Sequence, residues 1–322
     1  MAAPSDVNEI YLSSSPHFAS GRSTSGVMLC VIIALLPLCV YGVVLFGVPA
    51  LITILTAVVS SVVFEALFQK LTKQQIRTAD LSAAVTGILL ALVLPPSTPV
   101  WMTVLGSLFA VVVAKGFFGG IGANVFNPAL AGRAFLFTSF PVALSAWTLP
   151  FDGVSGATVL SEIKSGVFFA DSDTYLQYFL GNRAGCIGET STMLILIAFV
   201  FLAVTKIIDW RAPVAMIAVT ALCTWLSGGY PLMAVMTGGL MFGAVFMTTD
   251  YTTSPVTKTG RLIFGAGCGL ITFLIRQFGG YPEGVMFSIL IMNILVPFLD
   301  KFMPRKYGYG KKRARTEGAA AK

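Results

Sequence analysis

Charge is scarce in this chain. Only 11% of its 322 residues are Asp, Glu, Lys or Arg, against about 25% in a soluble domain. That excludes an ordinary water-soluble globule. Histidine is rarer still: the one copy, His17, is too little for a histidine metal site. Clustered cysteine is missing as well. Cys30, Cys39, Cys186, Cys223 and Cys268 form no C-x-x-C, and all but Cys186 fall in apolar runs. A disulfide framework, a zinc site or an iron–sulfur centre needs grouped ligands, so these cysteines read as small apolar packing residues. No glycine-rich nucleotide fingerprint is present. The first 25 residues are polar and lack an apolar core, so no cleavable signal peptide is expected.

What the chain has in abundance is apolar length. Its apolar fraction is 56% and its mean hydropathy +0.85. Ten segments have the character of membrane spans: 26–46, 49–69, 79–94, 100–118, 127–146, 189–205, 212–227, 231–248, 261–276 and 283–302. Several are short, and Pro37, Pro128, Pro141 and Pro297 fall inside them. Proline is tolerated there when neighbours satisfy the freed backbone groups. The predicted class is an all-α polytopic membrane protein of about ten spans. Its division is an N-terminal segment 1–25, a five-helix half 26–146, an outer loop 147–188, a second five-helix half 189–302 and a basic tail 303–322.

The basic residues orient it. With the N-terminus inside, 18 Lys and Arg fall on the inner side, Lys115 and Arg133 among them, and only Lys164, Arg183 and Arg276 on the outer side. That asymmetry supports an even number of spans with both termini in the cytoplasm. The net charge of +7 and the tail Lys311–Arg315 therefore read as facing the cytoplasm and anionic lipid, not nucleic acid.

Five spans, a long loop and five spans resemble the inverted-repeat plan of transporters. Two polar, proline-broken tracts, Asn124 to Arg133 (NVFNPALAGR) and Asp250 to Arg261 (DYTTSPVTKTGR), both end in Gly-Arg. They do not fall at equivalent spans, so the repeat is only suggested. Broken polar backbone at a membrane edge lines a cavity or forms a re-entrant turn. Ionisable residues at membrane depth are functional candidates: Glu65, Asp80 and Asp250 for an ion path, although Asp80 and Asp250 also read as interfacial and Glu65 as reaching the edge beside Lys70. Asn124, Asn127 and Arg133 are candidates for contact with a flavin or a partner, or for pinning the broken helix.

The outer loop contains Asp152 to Leu160, DGVSGATVL. Thr158 has two readings. One is a helix N-cap or Ser/Thr turn, with Asp152 a solvated turn residue. The other is an attachment site, with Gly156 and Ala157 leaving room beside the hydroxyl and Asp152 and Ser155 ordering the loop.

Ser155-Gly156-Ala157-Thr158-Val159-Leu160 resembles the signature of covalent flavinylation. With Ser13-Ser14-Ser15-Pro16-His17, Asn124 to Phe135 and Thr248 to Pro255, it resembles the NqrB/RnfD family over nearly the whole chain. The short N-terminal segment favours the RnfD type over the longer NqrB type. The resemblance implies a urea-channel-like fold and FMN joined to Thr158 by a phosphodiester. It also implies a noncovalent riboflavin in the membrane part, and a place in an Rnf complex that couples electron transfer between ferredoxin and NAD to Na+ or H+ movement. The implied partners are RnfA, RnfB, RnfC, RnfE and RnfG, with a flavin transferase for maturation; NAD and ferredoxin would be met by those other proteins. The rival readings are a channel or transporter for a small polar solute, and a purely structural component without a cofactor.

Overall fold

The computed structural model describes residues 23–75, 78–151, 160, 163, 172–280 and 283–302. Thr158, Ser155, Gly156, Ala157, Asp152 and His17 lie outside the described residues. Every regular element within them is helical. Among the described residues four helices are long and apolar enough to cross a membrane: α1 (Thr24–Phe46), α2 (Val48–Leu71), α12 (Lys258–Phe278) and α13 (Val285–Phe302).

Helix α1 begins at Ser23, whose hydroxyl accepts the Gly26 N–H at 3.1 Å, an N-cap. It buries Leu35 and Leu38 and exposes Ile33, Leu36, Val40 and Val44. An exposed face as apolar as the buried one suits lipid rather than water. Gly47 alone joins α1 to α2, at φ +71°, a conformation open to glycine without a Cβ penalty.

The remaining segments expected to span are shorter or broken in the structure. Helix α3 (Ser82–Leu92) has 11 residues and is buried almost throughout, about half the length needed to cross a bilayer. Helix α4 (Val100–Leu108) continues as a π-helix over Phe109–Gly116. The tract 124–133 opens α5 (Pro128–Ser139): the Asn127 side chain accepts the Leu130 N–H at 3.2 Å, and Pro128 takes the first helical position, where its missing N–H costs nothing. The expected span 127–146 does not run through. Pro141 starts a separate turn, α6 (Pro141–Leu144), because it cannot donate to the preceding ladder.

Further along the chain come α7 (Ser172–Leu180), α8 (Thr192–Val204) and α9 (Arg211–Leu226). Helix α7 falls within the stretch expected to be loop; the Tyr41 hydroxyl holds its end, donating to the Leu180 carbonyl at 2.9 Å. The expected span 231–248 also splits, into α10 (Pro231–Met236) and α11 (Leu240–Phe242), which continues as a π-helix over Gly243–Met247. Gly238 and Gly239, at φ +61° and +66°, turn the chain between them.

Small residues let these helices approach closely. A Cβ on Gly87 of α3 would lie 2.6 Å from the Ala57 carbonyl oxygen and 2.8 Å from the Val58 Cα of α2. Backbone cannot yield as a side chain can, so Gly87→Ala should cost about 1–3 kcal/mol by overpacking. It should lower the melting temperature in detergent, whereas Gly280→Ala, into open space, should leave it unchanged. The loop before α9 gives a pH prediction. Asp209 accepts the Arg211 N–H at 3.0 Å and pairs with Arg211 at 3.0 Å and Arg261 at 2.8 Å. Burial alone would raise its pKa, but the Arg211 backbone bond, the Arg261 side-chain bond and both guanidinium charges outweigh burial and hold it below the ordinary value. A depressed folded pKa stabilises above the unfolded pKa, about 3.9, and that contribution is lost as pH falls through the folded value. Wild type should therefore melt above Asp209→Asn at neutral pH, and the gap should close below about pH 4 in an acid titration.

Candidate functional site: an inner cavity and an outer arginine cluster

The two ends are called inner and outer below as labels only, after the expectation from the loop charges. At the inner end a cavity of about 540 Å3 opens between α1, α3, the start of α5 and the chain after α11. Asn124, Asn127, Lys115, Asp250 and Tyr251 supply its polar groups, while Val31, Leu89 and Phe246 supply apolar wall. The two proline-broken tracts thus meet at one cavity. Buried Asn293 of α13 joins them: in the amide orientation that satisfies both ends, it accepts the Asn127 N–H and donates to the Thr253 carbonyl, each at 3.2 Å. The Asn124 amide donates to the Phe126 carbonyl at 3.0 Å and shapes the turn before Pro128.

The sequence-selected carboxylates sort differently. Glu65 does not reach the edge beside Lys70. It is buried, and its Oε1 accepts from the Lys115 ammonium at 2.7 Å, while its Oε2 is buried without a partner among the described residues. Lys115 also donates to the Ser82 hydroxyl at 2.6 Å, which in turn donates to Asp80 at 2.8 Å. Asp80 accepts the Ser82 N–H too, at 2.9 Å, and so starts α3. Lys115 sits in the π-helical part that follows α4, where the widened turn re-aims side chains. Asp250 stands across the cavity and accepts from the Thr253 and Thr252 hydroxyls at 3.0 and 3.3 Å.

Arg133 parts company with Asn124 and Asn127. Two turns into α5 it meets Glu189, which also binds Arg183, a residue the charge count put on the side opposite to Arg133. Its guanidinium is held by Glu189 at 3.2 Å and Glu283 at 2.6 Å, with the Cys186 sulfur at 3.5 Å. Cys186 does more than pack: its thiol donates to the Val93 carbonyl at 3.0 Å. Burial pushes that thiol well above its usual pKa, so it stays protonated. The sulfur and the two carboxylates lie within 4.8 Å of one another, close enough for a metal, but the Arg133 guanidinium already occupies the cation position. Arg183 donates to the Met236 and Glu189 carbonyls, and burial lowers its pKa to about 10. Arg276, in the last turn of α12, donates to the carbonyls of Ala234 (2.6 Å), Thr237 (3.0 Å) and Gly238 (3.3 Å). Between the two ends the rings of Phe242 and Phe246 pack with centroids 5.0 Å apart, both buried.

A profile of the NQR2, RnfD, RnfE family matches residues 11–308. The chain belongs to this family. It is 43% identical over 320 residues to the D subunit of the Na(+)-translocating ferredoxin:NAD(+) oxidoreductase complex of Acetobacterium woodii, covering 98% of this chain and 100% of that protein. It is 42% identical to the D subunit of the proton-translocating ferredoxin:NAD(+) oxidoreductase complex of Clostridium ljungdahlii, covering 94% and 97%. It is 38% identical to the D subunit of the ion-translocating oxidoreductase complex of Escherichia fergusonii, covering 93% and 99%. These relatives are components of an enzyme complex.

Sequence reasoning did not single out Lys115, Glu189, Glu283 or Asn293. Glu189 and Glu283 open predicted spans and Lys115 nears the close of another, positions that do not by themselves mark a buried charge. Their partners lie 50 to 150 residues away, which no local pattern reveals. Removing one partner of a buried pair strands the others. Arg133→Gln should therefore cost about 3–5 kcal/mol. Thermal unfolding in detergent should show this loss, and adding Glu189→Gln and Glu283→Gln should restore part of it.

Proposed function

We propose that this chain is the RnfD component of an ion-translocating ferredoxin:NAD(+) oxidoreductase complex of the Rnf type, with FMN covalently attached to Thr158. The observation that carries the reading is near-full-length similarity to the D subunits of such complexes, joined to Ser155-Gly156-Ala157-Thr158 in the sequence. Two relatives at nearly equal identity are named for different ions, so overall similarity leaves Na+ or H+ unassigned. The chain then lies in a cytoplasmic (inner) membrane, its ten spans in two inverted five-helix halves, both termini in the cytoplasm and the Thr158 loop outside. RnfA, RnfB, RnfC, RnfE and RnfG complete the complex, and a flavin transferase matures it.

The inner cavity fits a second, noncovalent flavin such as riboflavin. Its volume is in the range that takes a molecule of that size, its walls are largely apolar, and Asn124, Asn127 and Lys115 offer a few polar groups. Bound flavin would supply acceptance and release of electrons singly or in pairs. The chain's own residues bind and orient it: Asn127 and Asn293 pin the start of α5, and Lys115 is held by Glu65 and Ser82. Of the carboxylates proposed for ion transfer, Asp250 faces the cavity, Glu65 has one oxygen without a partner among the described residues, and Asp80 reaches Lys115 through Ser82.

The test is covalent flavin. The chain, co-expressed with its flavin transferase and denatured in SDS, should give a fluorescent gel band, and Thr158→Ala should give a dark one. A dark wild-type band, with the transferase active on a control protein, would overturn the redox reading and leave the solute channel as the working alternative.

A further inference from the structure

Among the described residues, Lys115 and Lys206 are the lysines that line the inner cavity. Lys206 is exposed, so water and salt screen its charge. Lys115 is 3% exposed. The carboxylate of the wall, Asp250, is engaged by the Thr252 and Thr253 hydroxyls.

Lys115 stands in a partition. It also lines a smaller cleft behind the cavity, together with Glu65, Gln69 and Gly116. Its ammonium is held from both sides. Glu65, in the cleft, accepts from it at 2.7 Å, and Ser82, on the cavity wall, accepts at 2.6 Å. The Ser82 hydroxyl has one proton, which it donates to Asp80 at 2.8 Å, so its lone pairs are left for the ammonium. Ser82 draws the charge toward the cavity while Glu65 holds it from the cleft.

Packing alone does not account for this arrangement. An apolar pair of similar volume would pack as well, because the desolvation of two buried charges offsets their attraction. The chain also gives up regular helical hydrogen bonding over Phe109–Gly116, the stretch that presents Lys115. What a cation adds at a largely apolar wall is electrostatic reach, since a charge acts most strongly where little water screens it. A cavity of about 540 Å3 holds nothing far from its wall.

We propose that Lys115 sets the electron affinity of the flavin in the inner cavity by favouring its reduced, negatively charged form. This rests on the reading that the cavity takes a noncovalent flavin. Reduction adds two electrons and one proton to the oxidised ring and leaves an anion; a second proton makes it neutral. The electrons come from the carriers of the complex, or from dithionite in a titration. The ammonium attracts the anion more than the neutral oxidised ring. Glu65 and Ser82 are positioning residues that act through Lys115, and the Glu65 charge opposes that of the ammonium.

The test uses the full chain in detergent, carrying Thr158→Ala so that only noncovalent flavin is titrated. Riboflavin is the probe, and its midpoint potential, bound and free, is measured with dithionite and mediators. The difference gives the ratio of affinities for reduced and oxidised flavin. A loosened cavity weakens both forms and leaves that ratio alone, whereas a lost charge changes it. Lys115→Gln should lower the preference for reduced flavin by about tenfold or more, a fall of about 30 mV or more for a two-electron couple. Lys115→Arg should keep most of the preference. Glu65→Gln, which leaves the ammonium unopposed, should raise it. If Lys115→Gln does not fold, combining it with Glu65→Gln strands no charge, and the double variant should also fall below wild type. An unchanged ratio in the Lys115→Gln variants, single or double, overturns the proposal and leaves the cavity reading standing. A Glu65→Gln ratio at or below wild type overturns it too. Wild type that binds no riboflavin removes the cavity reading and this proposal with it, and leaves Thr158 to its own gel test.

Discussion

A helix that stops in a buried part of the protein leaves carbonyl oxygens that water cannot reach, and each must find a donor from the protein. The arrangement around the outer cluster follows from that constraint. Helix α3 ends at Leu92, and its last carbonyls are met from the loop ahead of α8. The Gly188 N–H donates to Leu92 at 2.8 Å, the Cys186 thiol to Val93 at 3.0 Å and the Ile187 N–H to Leu94 at 3.2 Å. Helix α10 ends at Met236, and there the donors are guanidinium groups. The two broken helices are satisfied differently: neutral N–H and S–H groups at one, charge at the other. Arginine at the second brings positive charge with it, and Glu189 and Glu283 lie in the same cluster, both paired with Arg133.

The same constraint ties distant parts of the chain together. Residues 186–189 serve both breaks, because they cap α3 while the Glu189 carbonyl accepts from Arg183 and its carboxylate from Arg133. Gly42 of α1 packs on this segment, where a Cβ would lie 2.9 Å from the Ile187 carbonyl. A change at one ion pair is therefore felt at both helix ends. At the inner end the Asn293 amide does the equivalent work with neutral groups, joining the tract before Pro128 to the tract before Pro255. The inner cavity can stay roomy because these bridges, rather than side chains filling it, hold its rim.

The π-helical stretches Phe109–Gly116 and Gly243–Met247 place residues that a regular helix would aim elsewhere. The first brings Lys115 to Glu65; the second carries Phe246 to the cavity and ends just before Thr248, whose hydroxyl bonds back to Ala244 at 2.7 Å. Wide turns of this kind are common at functional sites because they trade regular hydrogen bonding for side-chain aim.

Composition and apolar periodicity settle the class, because a low-dielectric surrounding tolerates little charge and demands helices: an all-helical membrane chain was legible from the 11% charged fraction and the long apolar runs alone. The Asn-Pro start of α5 was legible too, since cap and proline chemistry act within four residues. The family was legible from short motifs taken together, and near-full-length relatives confirm it. The breaks were only half legible. Pro141 was visible as punctuation, but Gly238-Gly239 was passed over inside an apolar run, because nothing local says that a glycine pair adopts positive φ. The ion pairs were not legible at all. Whether Glu65 reaches solvent or Lys115, and whether Arg133 serves the cavity or the outer cluster, depends on which helices pack together. Partners 50 to 150 residues apart meet only in the tertiary structure, which alone decides where a charge can be buried.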